Sequence, residues 1–280
     1  MMQIIFLDTP EAKLIISEIL VKKPIVLAGS GISTLKSLTE NDTENDICLP
    51  SGSEFTSGMF DYLFPPDFLG DNSHVTELLS KQWQNVVFEN LLESCPDHPK
   101  LRRIIKRIFI KAKPNSIHKC IVDSFIKEDF SGLITTNYDL CFDDLFKYCE
   151  VERIVTKKDS KSINPLVEKL YFKIHGSVDD TDGETLVFAL SHESLLDSGK
   201  QELLDKMIQN NSLLIVGYSG SDFEICPKLL EIPIETVFWN LRGEKYNIEY
   251  FMNKLSINAK KFLEKKDGYF LVGDIKDLFL

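Results

Sequence analysis

The sequence predicts an α/β fold: a mainly parallel sheet covered by helices on both faces. Three observations carry this. Short apolar runs, such as Ile25-Val-Leu-Ala28 and Ser212-Leu-Leu-Ile-Val-Gly217, lack polar alternation, as strands buried on both faces do. Segments of helical periodicity separate them. Closely spaced glycines or polar residues follow several runs directly, where a parallel sheet presents its ligand edge.

In chain order, Pro10 to Val21 places Leu14, Ile15, Ile19 and Leu20 at helical spacing and leads into the strand Ile25–Ala28. That strand breaks at Gly29-Ser-Gly31, and Leu38 to Asp46 follows as a polar, acidic loop. Glu54 to Phe130 reads as a mainly helical module set into the α/β domain. Leu78, Trp83, Val87, Phe88 and Leu91 fit one amphipathic face, and Leu101, Ile104, Ile105, Ile108 and Phe109 another. Pro65-Pro66, Pro96, Pro99 and Pro114 punctuate it. Ser116 to Ile126 is a helix for the sheet. Strands are then expected at 132–136, 151–155, 170–174, 186–190, 212–217, 236–240 and 269–272, with helices at 139–148 and 195–208. The chain is read as one domain over residues 1–280, with residues 54–130 a module within it.

Composition narrows the function. Hydrophobic residues make up 43% of the 280 positions, ordinary for a globular chain with a large core. The net charge of −11 argues against a general nucleic-acid binder, which carries a basic face. The six cysteines form no C-x-x-C pair, which excludes a zinc ribbon and gives no disulfide framework. No run approaches the ~20 apolar residues of a membrane span, and the N-terminus lacks a basic leader region. The expectation is a cytoplasmic chain with reduced thiols and no membrane partner.

The strand-end residues point to a site. Gly29-Ser-Gly-Ile-Ser33 has two glycines of a dinucleotide fingerprint, with Thr34 where the third small residue is expected, so backbone N–H groups can approach a phosphate. A plain strand-to-helix turn explains that stretch equally well. Four more strand ends carry Thr135-Thr-Asn-Tyr-Asp139, His175-Gly-Ser177, Gly217-Tyr-Ser-Gly-Ser-Asp222 and Asn240. Each has a bland account: Asn137 or Asp139 as a helix cap, His175 as a turn histidine, Gly217 and Gly220 as turn glycines. Their recurrence at strand after strand favours one shared site. His118, in Ser-Ile-His-Lys-Cys, reads as a packed or surface residue. The acidic pairs Asp143-Asp144 and Asp179-Asp180 read as solvated faces or a turn. No His/Cys/Asp/Glu set has convincing metal spacing, so no metal is expected.

The ordered set Gly29-Ser-Gly-Ile-Ser33, Thr136-Asn-Tyr-Asp139, His175-Gly176, Gly217-Tyr-Ser219 and Asn240-Leu241 resembles the sirtuin (silent information regulator two) family, above all its bacterial sirtuin-like branch. Gly273-Asp-Ile-Lys-Asp-Leu278 resembles the segment that closes a sirtuin domain. The resemblance spans nearly the whole chain and implies a Rossmann-like fold with NAD⁺ as substrate. It departs from sirtuin deacylases in two places. The two C-x-x-C pairs of their zinc ribbon are missing, and Leu49-Pro-Ser-Gly-Ser-Glu-Phe55 stands where they have Gly-Ile-Pro-x-Phe-Arg. By resemblance, then, the expected activity is NAD⁺ glycohydrolysis to nicotinamide and ADP-ribose, by an NAD-depleting effector of anti-phage defence. Deacylation, ADP-ribosyl transfer and non-catalytic NAD or ADP-ribose sensing are the alternatives. The resemblance assigns Asn137, Asp139 and His175 to catalysis. It assigns Gly29, Ser30, Gly31, Ser33, Thr136, Gly217, Ser219 and Asn240 to NAD⁺ binding. The chain is expected to end where a sirtuin-like domain ends, without a sensor domain of its own. A sensor or activator protein encoded nearby and assembly into homo- or hetero-oligomers are therefore expected, with residues 38–46 and 54–130 as regulatory surfaces.

Overall fold

The computed structural model describes residues 2–34, 49–50, 54–55, 58, 98–156, 159, 169–180, 185–187, 198–220, 225–241 and 256–278. Eight strands form one sheet: β1 (Gln3–Phe6), β2 (Ile25–Ala28), β3 (Gly132–Thr135), β4 (Glu152–Ile154), β5 (Leu170–Lys173), β6 (Leu213–Val216), β7 (Val237–Leu241) and β8 (Gly268–Val272). Their order is β1-β8-β7-β6-β2-β3-β5-β4, and every pairing is parallel. From β2 the chain builds outward through β3 to β5 and β4. It then returns to the other side of β2 for β6, β7 and β8. That reversal makes the β2/β6 boundary a topological switch point, where a Rossmann-like sheet opens a crevice beyond its strand ends.

Seven helices accompany the sheet among the described residues: α1 (Pro10–Lys22), α2 (His98–Phe109), α3 (Ser116–Ile126), α4 (Cys141–Phe146), α5 (Ser198–Ile208), α6 (Ile225–Glu231) and α7 (Ile257–Lys265). Period-two alternation sends strand residues to opposite faces. Ile25 and Leu27 join a core layer with Leu204, Met207, Cys226 and Phe262 from α5, α6 and α7. Val26 and Ala28 join the opposite layer with Ile15, Ile121, Phe125 and Phe142 from α1, α3 and α4. Helix α2 stands apart from both layers: its Leu101 and Ile105 pack with Phe55, Val178 and Leu186. Caps set the helix starts. Thr9 Oγ1 accepts the Ala12 N–H at α1, with Pro10 in the first turn, and Asn115 Oδ1 accepts the Ile117 and His118 N–H groups at α3.

Two expected elements need correction. Leu186 and Val187 are irregular, not the start of a strand, because the Val187 N–H goes to the His175 carbonyl at 2.9 Å, across a turn; residues 188–190 lie outside the described ones. Conversely, β1 is a strand that periodicity does not announce. Its four residues form a sheet edge by pairing with β8, where Gln3 meets Tyr269 from the far end of the chain. The acidic loop 38–46 and all of 59–97, with the expected face of Leu78, Trp83, Val87, Phe88 and Leu91, fall outside the described residues.

Candidate functional site

Five contiguous strands, β7-β6-β2-β3-β5, end in Asn240, Gly217, Gly29, Asn137 and His175 or their immediate neighbours. The register keeps these ends level. Ala28 pairs with both Thr135 and Val216, and Thr135 pairs with Lys173. Asn137 and His175 therefore each stand two residues beyond the same paired level. All the polar strand ends singled out in the sequence fall on one sheet edge. Asn240 is two strands from β2, on the far side of β6.

The loop after β2 is a single 3₁₀ turn, Ser30–Ile32. Its glycines are needed first for backbone approach. A Cβ on Gly29 would lie 2.6 Å from the Gly217 carbonyl oxygen, and one on Gly31 would lie 2.8 Å from it. Gly217 itself has φ +60°, and a Cβ there would lie 2.6 Å from Ile32 N. The Gly29 N–H donates to Val216 O and the Gly31 N–H to Gly217 O, at 2.9 and 2.8 Å. Ile32 and Ser33 N–H groups close the turn on Gly29 O and Ser30 O. Ser30, exposed at the tip, is the loop position whose amide meets no carbonyl among the described residues.

Ser33 is the hub of a buried polar cluster. Its Oγ donates to Asp139 Oδ2 at 2.9 Å and accepts from Asn137 Nδ2 at 3.0 Å. His118 Nε2 lies 3.2 Å from the same oxygen. Asn115, the α3 cap, holds the far side of the ring: Asn115 N–H reaches His118 Nδ1 at 3.3 Å, and Asn115 Nδ2 donates to Ile32 O at 2.7 Å. The cluster thus ties the β2 turn, the β3 loop and the start of α3 together. His118 Nδ1 also lies 2.8 Å from Asn115 Oδ1, so both ring nitrogens are engaged inside the cluster. Burial, partly offset by the Asp139 carboxylate, lowers the His118 pKa to about 4, so the imidazole is neutral near pH 7. His118 is completely buried. The surface alternative for His118 is thus excluded, and a residue set aside in the sequence supports the site. The capping pattern Asn115-x-x-His118 could have signalled a ring tied to the helix start, though not its contact with Ser33.

Asn137 is 5% exposed, and with Nδ2 committed to Ser33 its Oδ1 has no partner among the described residues. A buried amide oxygen held in this way is an acceptor awaiting a donor. The Asn137 N–H bonds Thr135 Oγ1 at 3.1 Å, which fixes the loop from the strand side. Asp139 Oδ1 accepts the Cys141 N–H at 3.0 Å, starting α4. His175 is buried at the end of β5, its ring 6.4 Å from that of Tyr138. Gly176 follows at φ +89°, where a Cβ would lie 1.9 Å from Thr185 O. Tyr138 Oη donates to Val187 O at 2.5 Å, and its ring meets Phe109 of α2 edge-on at 5.6 Å.

Donor atoms of His118, Asp139 and Cys141 lie within 4.8 Å of one another, near enough for a metal ion. His118 Nε2 and Asp139 Oδ2 already meet on the Ser33 hydroxyl, and burial together with the Asp139 carboxylate pushes the Cys141 thiol far up, away from the thiolate a metal takes. The arrangement is satisfied as a hydrogen-bond cluster.

Beneath the same loop lies an ionic cluster. Lys173 is fully buried, and its Nζ donates to Asp143 Oδ2 at 2.9 Å, to Tyr138 O at 3.5 Å and to Asp139 O. Asp143 also accepts from Tyr171 Oη at 3.0 Å and pairs with Arg153 Nε. Arg153 continues to Asp179 at 2.8 Å and Ser177 Oγ at 2.8 Å. Asp143 and Asp179 are therefore not simply solvated faces: the fold brings β4 and β5 cations to them.

Of the remaining positions, Asn240 Nδ2 donates to Leu271 O at 3.0 Å, so it braces β7 against β8. Ser219 is exposed beyond β6, and Thr136 is half-buried with its N–H on Ala28 O at 3.1 Å. Ser33, Asn137 and Asp139 are in direct contact; Gly29 and Gly31 meet Gly217; His175 and Asn240 flank these on either side.

Residues 131–227 match the family model of the SIR2-like domain. The match covers about a third of the chain; it begins just before β3 and includes Asn137, Asp139, His175, Gly217 and Ser219. That match supports an NAD-related function of the sirtuin-like kind. No curated protein matches the chain. No helix among the described residues is long and apolar enough to cross a membrane.

Proposed function

We propose that the protein is an NAD⁺ glycohydrolase that splits the nicotinamide–ribose bond to give nicotinamide and ADP-ribose. The observation that carries this reading is the open Oδ1 of Asn137, a buried acceptor locked in orientation through Ser33 at the β3 end. Breaking the N-glycosidic bond creates a cationic, oxocarbenium-like centre on the ribose. An acceptor of fixed direction can hold water or a ribose hydroxyl beside that centre, and a preorganised dipole costs nothing to reorient during reaction.

In this reading His175 is the general base toward water or a ribose hydroxyl. Asp139 sets the Ser33–Asn137 geometry and lies toward the nicotinamide side. Ser30 and the turn Gly29-Ser-Gly31 face the pyrophosphate. Gly217, Ser219 and Asn240 line the adenosine side, and Thr136 joins the binding wall. Protein deacylation is disfavoured because the sequence has no C-x-x-C pair to frame an acyl-peptide cleft. We further propose that hydrolysis depletes NAD⁺ in anti-phage defence, and that a partner or oligomerisation switches it on, since unrestrained NAD⁺ loss would kill the host cell.

The test is nicotinamide release from NAD⁺ by the purified protein, alone and with its genomic neighbours. Release that disappears in Asn137→Ala and in His175→Ala, with folding retained, is the expected result. Full activity in either variant would remove that residue from catalysis. No release under any activating condition would overturn the hydrolase reading.

A further inference from the structure

We propose that Lys173 is a positioning residue: its buried ammonium locks the Asn137–Asp139 loop to the strand that carries His175. This rests on the hydrolase reading of the site. Lys173 ends β5, two residues before His175, and its Nζ reaches across to the carbonyls of Tyr138 and Asp139 in the loop after β3. One side chain therefore joins the two loops that hold the proposed catalytic groups. A second buried ammonium works in the same place. Lys200 of α5 is 6% exposed and donates to the Ile174 carbonyl at 2.9 Å, immediately before His175.

Stability alone does not account for Lys173. Burying an ammonium is costly, and an apolar side chain of similar volume fills a core position as well or better. What an apolar residue cannot do is bond two loop carbonyls from behind. Charge is handled as the chemistry requires. Lys173 and Arg153 face Asp143 and Asp179, so two cations meet two carboxylates and the cluster adds no net positive charge beside a cationic transition state. Positioning is bought without an opposing field.

The experiment compares the wild-type protein with Lys173→Met and with Lys173→Met/Asp143→Asn. Three quantities are measured: kcat and KM for nicotinamide release, Tm, and amide hydrogen exchange over residues 135–140. Lys173→Met should lower kcat roughly 10- to 100-fold, the scale of a small misplacement of reacting groups, with KM changed little. Exchange should quicken over 136–140 and stay as in wild type over β2 and β6. The double variant, which also removes the carboxylate that Lys173 shares with Arg153, should leave kcat low whatever its Tm. Recovery of kcat together with Tm, or an unchanged kcat in Lys173→Met, would show a merely structural role and overturn the proposal. If the wild-type protein releases no nicotinamide, the hydrolase reading fails by itself, and exchange decides the locking: unchanged exchange in Lys173→Met overturns it, and selective quickening at 136–140 supports it.

Discussion

Two polar clusters grip the same loop, residues 135–141, and they are built on opposite principles. The first, Ser33 with Asn137, Asp139, His118 and Asn115, uses hydroxyl, amide and neutral imidazole groups around one carboxylate. The second sets the full charges of Lys173, Asp143, Arg153 and Asp179 together, with the Tyr171 phenol donating to Asp143. Asp139 belongs to both, its carboxylate to the first and its carbonyl to the second. The first leaves an acceptor open, at Asn137 Oδ1. The second points its donors at backbone and carboxylates. The difference teaches a division of labour: charges placed behind the loop fix its backbone, and uncharged groups in front leave room for chemistry.

Breaking one partner of the ionic cluster should give the largest effect on stability. Asp143→Leu leaves Lys173 and Arg153 facing each other without their shared carboxylate, and removing one partner of a buried pair costs about 3–5 kcal/mol. Urea unfolding measures it. A loss below about 1 kcal/mol would mean that the cluster is hydrated and that the contrast drawn here is too sharp.

The first cluster should instead reveal itself through pH. His118 takes its proton near pH 6.5 when unfolded and only near pH 4 when folded. Between those values the unfolded chain binds more protons, so stability is lost as pH falls from about 6.5 to about 4. The His118 contribution to that loss is about 3 kcal/mol at ~1.4 kcal/mol per pKa unit. His118→Gln should flatten this part of the stability–pH curve. The same slope in the variant would place the titration elsewhere.

A smaller effect is expected from Gly217→Ala, which strains the turn under the first cluster while leaving the second untouched. A left-handed φ with a side chain costs roughly 1–2 kcal/mol, and the added Cβ must also push on Ile32. Thermal unfolding would read the loss, and amide exchange at 29–33 would place it. The smallest change belongs to an ion pair at the surface. Lys22 and Glu235 meet at 2.8 Å with their side chains 23% and 54% exposed. Lys22→Ala should cost less than about 1 kcal/mol, fading with salt. A cost matching that of Asp143→Leu would remove burial as the reason for the contrast.

Much of the sheet was legible beforehand. The runs at Ile25–Ala28, Leu213–Val216 and Val237–Leu241 are wholly or almost wholly buried, and such runs announce themselves by composition. The strand-end residues were legible too, because a parallel sheet puts every carboxyl end on one edge. The short edge β1 was not. Nor was the irregular path at Leu186–Val187, where β-prone residues instead give their hydrogen bonds to the His175 turn. His118 and Lys173 were invisible as site residues for one reason. Their roles depend on partners 85 and 34 positions away in sequence, and local pattern carries no record of such contacts.

By itself, then, the amino-acid sequence determined which residues stand at the ends of strands, since hydrophobic runs and their glycine breaks are local. Only tertiary structure decided what those residues touch. Register brought Ala28, Thr135, Val216 and Lys173 to one level. Packing then turned Ser33 toward Asn137 and Asp139, and Lys173 toward the loop between them and His175. A hydrogen bond needs direction as well as proximity, and direction is settled only when the whole sheet and its helices have closed around it.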